Sequence, residues 1–316
     1  MENANETVLI TGGCGAIGIN LLARLVESGC EELHVIDNLS SGNNKLSPEV
    51  VFTNIDIGNR EKIDNYFKNY QPSVIYHLAA HFANQNSVDH PISDTTSNVI
   101  GLINILESQL SNTNLKKFVF ASSSCVYGNS SFMSESDEVS PYDTPYAINK
   151  YAGELYCKYY SDVHGVPIVC GRIFNNFGPG ELPGEYRNVV PNFIYHALNG
   201  DDIIITGTGD ETRDFTYVDN NVDLLFRLAD SDFNNAEVFN SGTGIGVSIR
   251  ELAETIIEVT GSPSSIKFTD PRSWDHVKHR RANIEKSKSL LGYEPKNEFR
   301  QEIAKTVAWI RQITGL

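Results

Sequence analysis

The sequence is poor in basic residues, and this shortage limits the partners that the protein can have. Among 316 residues, 25 are Lys or Arg and 40 are Asp or Glu, so the formal net charge is −15 at pH 7. Such a field repels polyanions, and we therefore expect no nucleic-acid partner. An anionic small-molecule ligand would need the few basic side chains to be concentrated where it binds.

Cysteines and long apolar runs are also scarce. The five cysteines form no C-x-x-C pair and are scattered over the chain, at Cys14, Cys30, Cys125, Cys157 and Cys170. This pattern argues against a disulfide framework and against a structural zinc site. No apolar run reaches the roughly 18 residues of a membrane span, and the first six residues lack the basic and apolar regions of a signal peptide. We therefore expect no metal, no membrane partner and a cytoplasmic location.

What the sequence does contain is a regular alternation of apolar runs and amphipathic stretches. In the first half, short runs such as 8–10, 33–36, 74–76 and 118–120 are separated by helical patterns. The runs are continuously apolar, which is typical of parallel strands that are covered on both faces. The sequence thus predicts an α/β fold with a doubly wound parallel Rossmann sheet.

A glycine-rich turn follows the first predicted strand. The segment Thr11-Gly12-Gly13-Cys14-Gly15-Ala16-Ile17-Gly18 has the spacing G-x-x-G-x-x-G and opens a helix. Glycines let the backbone approach a pyrophosphate, whose charge is stabilised by free N–H groups and by the helix dipole. Asp37 ends the second strand, where a carboxylate can bind a ribose diol and would repel a 2′-phosphate. The pattern favours NAD over NADP.

The alternation breaks after residue 177, where turns rich in Gly and Pro begin. We expect residues 1–177 to form an NAD-binding Rossmann domain and residues 178–316 to form mainly a smaller C-terminal α/β lobe that binds the substrate. Return elements around 210–260 are expected to rejoin the main sheet, including a strand and a helix near 238–259. Residues 300–310 are expected to form a terminal amphipathic helix.

Three residues form a candidate catalytic group. Tyr146 and Lys150 have the spacing Y-x-x-x-K in a helix whose start is marked by Pro145. The i, i+4 spacing places both side chains on one face, where the ammonium is expected to lower the phenol pKa. Ser123 follows a predicted central strand, at the edge of the sheet where ligands bind in this architecture.

These motifs together resemble the extended short-chain dehydrogenase/reductase family, the NAD-dependent nucleotide-sugar epimerases and dehydratases, over nearly the whole chain. The further matching segments are Asp37-Asn38, Asp56-Ile57, His77-Leu78-Ala79-Ala80, Asn98-Val99-Ile100-Gly101, Arg172-Ile173-Phe174-Asn175, Arg213-Asp214-Phe215-Thr216-Tyr217-Val218-Asp219 and Leu290-Leu291-Gly292-Tyr293.

The resemblance implies a role for each member of the candidate catalytic group. Tyr146 would take the proton of a sugar hydroxyl, usually O4, as hydride leaves for the nicotinamide. Ser123 would hydrogen-bond that oxygen, and Lys150 would hold the cofactor ribose and tune Tyr146, whereas Ser122 is expected to be structural. The implied NAD contacts are Gly12, Gly15, Ala16, Ile17, Gly18, Asp37, Asn38, Leu39, Ser40, Gly42, Asp56, Ile57, Leu78, Ala79, Ala80, Asn98, Tyr146, Lys150 and Phe174.

The implied substrate is a nucleotide-diphosphate sugar. Arg213 and Arg272 match the family's diphosphate arginines, since the planar guanidinium can bind phosphate with two hydrogen bonds. The other implied substrate contacts are Ser123, Asn175, Asn188, Val189 and, at the nucleoside ribose, Asp275.

The residue on the far side of the sugar is left open between His279 and Arg280, because the chain is one residue longer than the usual pattern between Asp275 and Ala282. Either side chain is bulky and polar, which disfavours N-acetylhexosamines and leaves room for an unusual polar substituent. The loop 81–87 offers amides that suit sugar hydroxyls.

The residues after Ser123 bear on which chemistry follows oxidation. The 4,6-dehydratases have an Asp-Glu pair where this chain has Ser124 and Cys125, and the nucleotide-glucuronate decarboxylases have Glu at the second place. We therefore expect a 4-epimerase, most simply of a UDP-hexose. The alternatives are a 4-dehydrogenase or 4,6-dehydratase-like oxidoreductase, a 3,5-epimerase that uses Cys125, and a non-catalytic NAD-binding protein; Cys125 could equally be a small packing residue.

The resemblance also implies a homodimer. Helices around 97–110 and 146–163 would pair with their copies in a second subunit. The apolar residues compatible with this interface, and equally with ordinary core positions, are Leu102, Ile103, Leu106 and Leu155.

Overall fold

The structure is a computed structural model that describes residues 6–42, 46–272 and 277–316. Its strands are β1 (Thr7–Thr11), β2 (Glu32–Asp37), β3 (Val50–Asn54), β4 (Val74–His77), β5 (Lys117–Ser123), β6 (Phe132–Met133), β7 (Ile168–Ile173), β8 (Asn175–Phe177), β9 (Ile203–Thr206), β10 (Thr212–Arg213), β11 (Phe215–Tyr217), β12 (Asn235–Ser241), β13 (Val247–Ser248), β14 (Ile266–Thr269) and β15 (Arg281–Ala282).

The α-helices are α1 (Ala16–Glu27), α2 (Arg60–Asn69), α3 (Asn84–Asp89), α4 (Pro91–Thr95), α5 (Gly101–Gln109), α6 (Pro145–His164), α7 (Val189–Asn199), α8 (Val218–Asp230), α9 (Ile249–Thr260), α10 (Glu285–Leu291) and α11 (Phe299–Thr314). A π-helical segment, Thr96–Ile100, joins α4 to α5, and a 3-10 turn, Ser124–Tyr127, follows β5. No helix within the described ranges is long and apolar enough to cross a membrane; the cytoplasmic location stays a prediction.

Seven parallel strands form the main sheet, in the order β12-β7-β5-β4-β1-β2-β3. The order reverses beside β1, because the chain first builds the sheet outward to β3 and then returns to add β4 on the other side. A crevice forms at the carboxyl ends of the strands where such a reversal occurs. The predicted α/β class with a doubly wound parallel sheet is confirmed.

Helices cover both faces of this sheet, as the continuously apolar strands require. Val8 and Ile10 of β1 pack in one cluster with leucines of α1 and α8, whereas Leu9 packs in a second cluster with side chains of α2, α5 and α6. Successive residues of a strand point to opposite faces, so a strand buried on both sides is apolar at most positions. Polar exceptions such as His34 and Lys117 are hydrogen-bonded.

The chain returns to the main sheet after residue 177. β12 is the edge strand beside β7, and α8 packs against α1, β5 and β7. The helix expected near 238–259 is α9, which packs mainly against α7 and α11 rather than on the main sheet. The first hydrophobic cluster includes residues of both proposed lobes, such as Val8, Phe193 and Leu252, so the core is continuous across residue 177.

Two residues expected at a homodimer interface are placed elsewhere. Leu102 and Leu106 are both 0 % exposed and pack inside the subunit against α2 and the sheet, so the alternative that they are ordinary core positions holds for these two. The homodimer itself stays a prediction. Leu155 is 54 % exposed on α6, together with Ile148, Tyr159 and Val163. The amphipathic period of a helix is the same for an internal and an external apolar stripe, which is why the sequence could not separate them.

Candidate active site

A large cavity of about 1270 Å³ runs along the carboxyl edge of the main sheet. The glycine-rich turn, the carboxyl end of β5 and the first two turns of α6 contribute to its wall, and so do loops of the C-terminal lobe. The sequence-predicted residues that line it are Gly12, Gly15, Ala16, Ile17, Gly18, Asp37, Asn38, Ser40, Asp56, Ile57, Leu78, Ala79, Ala80, Ser123, Tyr146, Lys150, Phe174, Asn175, Asn188, Val189, Arg213 and Arg272.

The glycine-rich turn is packed so closely that two of its positions admit only glycine. Gly12 has a φ of +74°, and a Cβ on it would lie 2.6 Å from the backbone nitrogen of Ala79. A Cβ on Gly18 would lie 2.5 Å from the carbonyl oxygen of Gly12. α1 begins after Gly15 without a side-chain cap and without an acidic residue in its first turn. Its N-terminal N–H groups are therefore available to an anion.

Asp37 connects this turn to the loop after β2. Its carboxylate accepts hydrogen bonds from the backbone N–H groups of Cys14, at 2.9 Å, and Leu39, at 2.7 Å. Asn38 donates its side-chain amide to Asp56 at 3.0 Å. Acceptor oxygens thus lie near the end of the cavity beyond the glycine turn, where a ribose diol requires them. The glycine-rich turn, the uncapped N-terminus of α1 and the carboxylates of Asp37 and Asp56 together fit a dinucleotide.

Three of the implied NAD contacts do not line the cavity. Asn98 is 2 % exposed, and its amide bonds the backbone of His81 and the carboxylate of Asp94. Leu39 packs against the core with a φ of +59°. Gly42 lies against Cys14, since a Cβ there would be 2.1 Å from the carbonyl oxygen of Cys14. That these residues contact the cofactor stays a prediction, and within the chain Asn98 braces the loop that follows Ala80.

The candidate catalytic group is assembled by two elements. Ser123 ends β5, and its hydroxyl accepts the N–H of Cys125 at 3.2 Å, which caps the 3-10 turn. Thr144 caps α6 by accepting the N–H of Ala147 at 3.3 Å, so that Pro145 stands at the first helical position. Lys150 donates to the carbonyl oxygen of Ala121 at 2.8 Å.

Burial dominates the electrostatics of this group. Desolvation by burial raises the pKa of Tyr146 well above its ordinary value, although a hydrogen bond with Ser123 opposes the rise. Burial also lowers the pKa of Lys150 to about 8. The lysine Nζ lies 5.8 Å from the centre of the phenol ring of Tyr146 and donates to the carbonyl oxygen of Ala121. That Lys150 lowers the pKa of Tyr146 stays a prediction.

A buried carboxylate behind the group was not anticipated. Asp94 is 0 % exposed, and its oxygens accept the side-chain amides of Asn98, at 2.9 Å, and Asn149, at 2.6 Å. Its charge acts to raise the pKa values of both Tyr146 and Lys150. The i, i+4 spacing of Asp94 and Asn98 was the available signal in the sequence.

Ser122 lies beside the group but has a different set of contacts. Its hydroxyl donates to Glu154 at 2.5 Å, and Glu154 accepts two hydrogen bonds from Arg172, at 2.8 and 2.7 Å. All three residues are buried. This bidentate ion pair ties β5 and β7 to α6 beneath the cavity.

The substrate candidates come from the C-terminal lobe. Arg213 donates to the carbonyl oxygen of Thr212 at 3.0 Å. Asn188 donates its backbone N–H and its side-chain amide to Glu181, at 3.1 and 3.2 Å. The side-chain oxygen of Asn175 is buried without a hydrogen-bond partner among the described residues. Asp275, predicted at the nucleoside ribose, lies outside the described residues.

The structure separates Arg280 from His279. Arg280 lines the cavity, is 7 % exposed, and donates from Nη1 to the sulfur of Cys125 at 3.5 Å. His279 does not line the cavity, and its ring contacts Thr212 at 3.2 Å. In the loop 81–87, Asn84 lines the cavity and donates to Cys125 at 3.7 Å.

Asp214 holds the arginine-bearing segments in place. This carboxylate is 0 % exposed and accepts the hydroxyl and N–H of Thr243, at 2.7 and 2.9 Å, the N–H of Gly244, at 2.9 Å, and the N–H of Ala282, at 3.1 Å. Asp214 follows Arg213 directly and fixes the strand that carries Ala282. Burial raises its pKa.

Further carboxyl groups that the sequence did not single out line the cavity, among them Glu181 and Asp143. Glu181 is 4 % exposed, and Asp143 has a buried side-chain oxygen without a partner among the described residues. Across the described ranges, no group of three or more His, Cys, Asp or Glu side chains could hold a metal ion.

Fold and site together define a class of enzyme. The sheet is doubly wound and parallel, and a glycine-rich turn for a dinucleotide and the Ser, Tyr and Lys group lie at its carboxyl edge. This is the arrangement of the short-chain dehydrogenase/reductase type.

Comparison with known proteins identifies the family. The profile described as "NAD dependent epimerase/dehydratase family" matches residues 8–242. UDP-glucose 4-epimerase from Mycolicibacterium smegmatis is 33 % identical over 314 residues, which cover 96 % of this chain and 98 % of that protein. UDP-N-acetyl-alpha-D-glucosaminuronate decarboxylase from Bacillus cytotoxicus is 32 % identical over 318 residues, with the same two coverages of 96 % and 98 %.

Among solved structures, UDP-glucose 4-epimerase from Thermotoga maritima with UDP-glucose superimposes with a TM-score of 0.92 at 32 % identity, covering 98 % of this chain and 99 % of that chain. The chain belongs to the NAD-dependent epimerase/dehydratase family. It is an enzyme and its cofactor is NAD. The family predicted from the sequence is confirmed, and with it the cofactor.

Proposed function

We propose that the enzyme is a 4-epimerase of a nucleotide-diphosphate hexose, with a UDP-hexose as the substrate. The observation that carries the proposal is the turn after Ser123. There Ser124 is 3 % exposed, and Cys125 contacts Asn84 and Arg280. Neither side chain is the carboxylate that elimination or decarboxylation requires at this place, so oxidation and reduction at C4 remain as the chemistry.

Each member of the Ser, Tyr and Lys group has a defined task in this reaction. The phenol oxygen of Tyr146 accepts the proton of the C4 hydroxyl and later returns it, and the hydroxyl of Ser123 donates a hydrogen bond to the sugar oxygen. Lys150 supplies the positive charge that favours the deprotonated phenol, against the rise in pKa that burial causes. NAD, when bound, would supply the acceptor for the C4 hydride and the donor for its return to the opposite face.

The rest of the chain binds and orients the two ligands. The turn from Gly12 to Gly18 and the N-terminus of α1 hold the cofactor's pyrophosphate, and Asp37 holds its ribose. Arg213 and Arg272 line the cavity and bind the diphosphate of the sugar nucleotide. Anchoring the substrate at the diphosphate allows the 4-keto sugar to turn over between the two hydride transfers.

Product analysis tests this proposal. The purified enzyme is incubated with UDP-, GDP-, CDP- and dTDP-hexoses, and the products are examined by NMR. We expect the C4 epimer of a UDP-hexose, with no net consumption of NAD. A released keto sugar with an equal amount of NADH would make the enzyme a 4-dehydrogenase, and a dehydrated or decarboxylated product would contradict the interpretation of the Ser124-Cys125 turn.

The role of Tyr146 has its own test. Tyr146→Phe removes the acid/base group and is expected to lower kcat by roughly 10²- to 10⁴-fold, the usual contribution of such a group, while the cofactor still binds. Tyr142→Phe is the matched control, because Tyr142 is 80 % exposed and does not line the cavity. Full turnover in Tyr146→Phe would contradict the mechanism.

We also propose that two subunits associate through the exposed apolar face of α6. Ile148, Leu155, Tyr159 and Val163 are 47 %, 54 %, 50 % and 61 % exposed. Their spacing of seven, four and four residues keeps them on one side of the helix, where a second copy would cover them.

A further inference from the structure

Arg280 is a buried cation without a counter-ion in the part of the chain that the structure describes. It is 7 % exposed, and no described carboxylate lies within salt-bridging distance of its guanidinium. Its Nε is buried without a hydrogen-bond partner, and Nη1 has only the weak acceptor Cys125, at 3.5 Å. An arginine cannot lose its proton in a protein, so this charge is present in the cavity at every working pH.

The contrast with Arg172 shows how this chain neutralises a buried arginine when the role is structural. Arg172 is 4 % exposed and is held by Glu154 through hydrogen bonds of 2.8 and 2.7 Å. Burying a charge is costly unless it is paired. Arg280 is similarly buried, but it faces the cavity where Arg172 faces a carboxylate. This indicates that the partner of Arg280 is part of a ligand.

The position of Arg280 indicates which part of the ligand it meets. The arginine touches Cys125, which lies two residues beyond Ser123 in the same turn. Cys125, Ser123 and Tyr146 line the same cavity as Arg280. Arg280 is therefore near the sugar carbon that reacts, and its segment is fixed by the bond from its own N–H to the carbonyl of Thr212, at 3.0 Å.

We propose that Arg280 binds a carboxylate carried by the sugar, and that the preferred substrate is a nucleotide-diphosphate sugar with an acidic substituent on the hexose. The planar guanidinium presents Nε and one Nη side by side, which matches the two oxygens of a carboxylate. This inference rests on the proposed nucleotide-sugar reaction and adds the class of sugar to it.

Matched pairs of substrates test the inference. UDP-glucose and UDP-glucuronate differ by a carboxylate at C6, and UDP-N-acetylglucosamine and UDP-N-acetylmuramate differ by one on the C3 lactyl ether. Dissociation constants are measured by calorimetry on the NAD-loaded Tyr146→Phe enzyme, so that binding is seen apart from turnover. We expect the acidic member of one pair to bind at least about tenfold more tightly, and that pair identifies where the carboxylate sits.

Substitution of Arg280 supplies a second test of the inference. Arg280→Gln is expected to weaken binding of that acidic sugar roughly 100-fold and of its neutral partner less than threefold, whereas Arg280→Lys recovers part of the loss. Arg281→Gln is the control, because Arg281 is exposed and stacks on Phe132. Thermal unfolding of ligand-free Arg280→Gln checks folding, and its midpoint is expected at or above that of the parent.

The two proposals can fail separately. Equal weakening of the acidic and neutral sugars by Arg280→Gln would place the arginine at the diphosphate and overturn the inference, as would equal affinities within both pairs. Tight, Arg280-dependent binding of the acidic sugar without any C4 epimer from the parent enzyme would support the inference and overturn the epimerase reaction.

Discussion

Glu181 offers a direct test of how burial controls charge in the cavity. Its two oxygens accept the backbone and side-chain N–H groups of Asn188, and burial raises its pKa to about 6 from its ordinary value of 4.5. A carboxyl group whose pKa is raised by folding favours the folded state only while it is protonated. We expect Glu181→Gln to remove this pH dependence, because the amide stays neutral at all pH values.

The size of the effect follows from the two pKa values. The difference between 4.5 and about 6 corresponds to about 2 kcal/mol, at about 1.4 kcal/mol per unit. Stability from this group is present below pH 4.5, is lost as the pH rises through about 6, and is absent at pH 7.5. The amide retains one acceptor for Asn188 and loses the other, which costs about 1 kcal/mol at every pH.

The variant should therefore be less stable than the parent by roughly 0.5 to 1 kcal/mol at pH 4.5 and more stable by about 1 kcal/mol at pH 7.5. Urea unfolding followed by circular dichroism at both pH values measures the change. Glu185→Gln is the control, since Glu185 is exposed on the same loop. An identical stability difference between parent and Glu181→Gln at the two pH values would refute the reasoning.

Two other substitutions test the framework of the site. Glu154→Ala leaves the buried charge of Arg172 without its partner and is expected to cost about 3–5 kcal/mol in urea unfolding. Glu258→Ala breaks an exposed ion pair and should cost far less, because solvent screens the two charges. Equal costs would contradict the importance of burial. Leu155→Glu is expected to convert a dimer to a monomer in sedimentation, while Leu290→Glu, at a leucine 55 % exposed on α10, is not; a monomeric parent would refute the proposed dimer.

The sequence predicted the interior of the sheet better than its edge. β4 and β5 are buried at every position, and their residues 74–76 and 118–120 are continuous apolar runs in the sequence. β3 was not anticipated, because its Val50–Asn54 is only partly buried and two of its residues are exposed. An edge strand that is half covered has no run of apolar residues to distinguish it from a loop.

Site residues with a local pattern were predictable, and those that depend on tertiary packing were not. The spacing of Tyr146 and Lys150 defines their common helix face, whereas the rise in the pKa of Tyr146 comes from burial that only the folded chain creates. His279 and Arg280 are neighbours in an extended segment, where successive side chains point to opposite sides. The bridge between Thr212 and His279 decides which of the two lines the cavity.

The many contacts of Asp214 have a consequence for how this enzyme can change over evolution. Ser123 and Tyr146 are carried by β5 and α6, whereas Arg213 and Arg280 lie on short segments that converge on this single carboxylate. Residues between 277 and 281 can therefore be exchanged for those of a relative, while Arg213, Ser123 and Tyr146 keep their positions. Such an exchange is the natural starting point for changing the sugar that the enzyme accepts. Substitutions in this short segment would in the same way allow relatives to diverge in their sugar substrates.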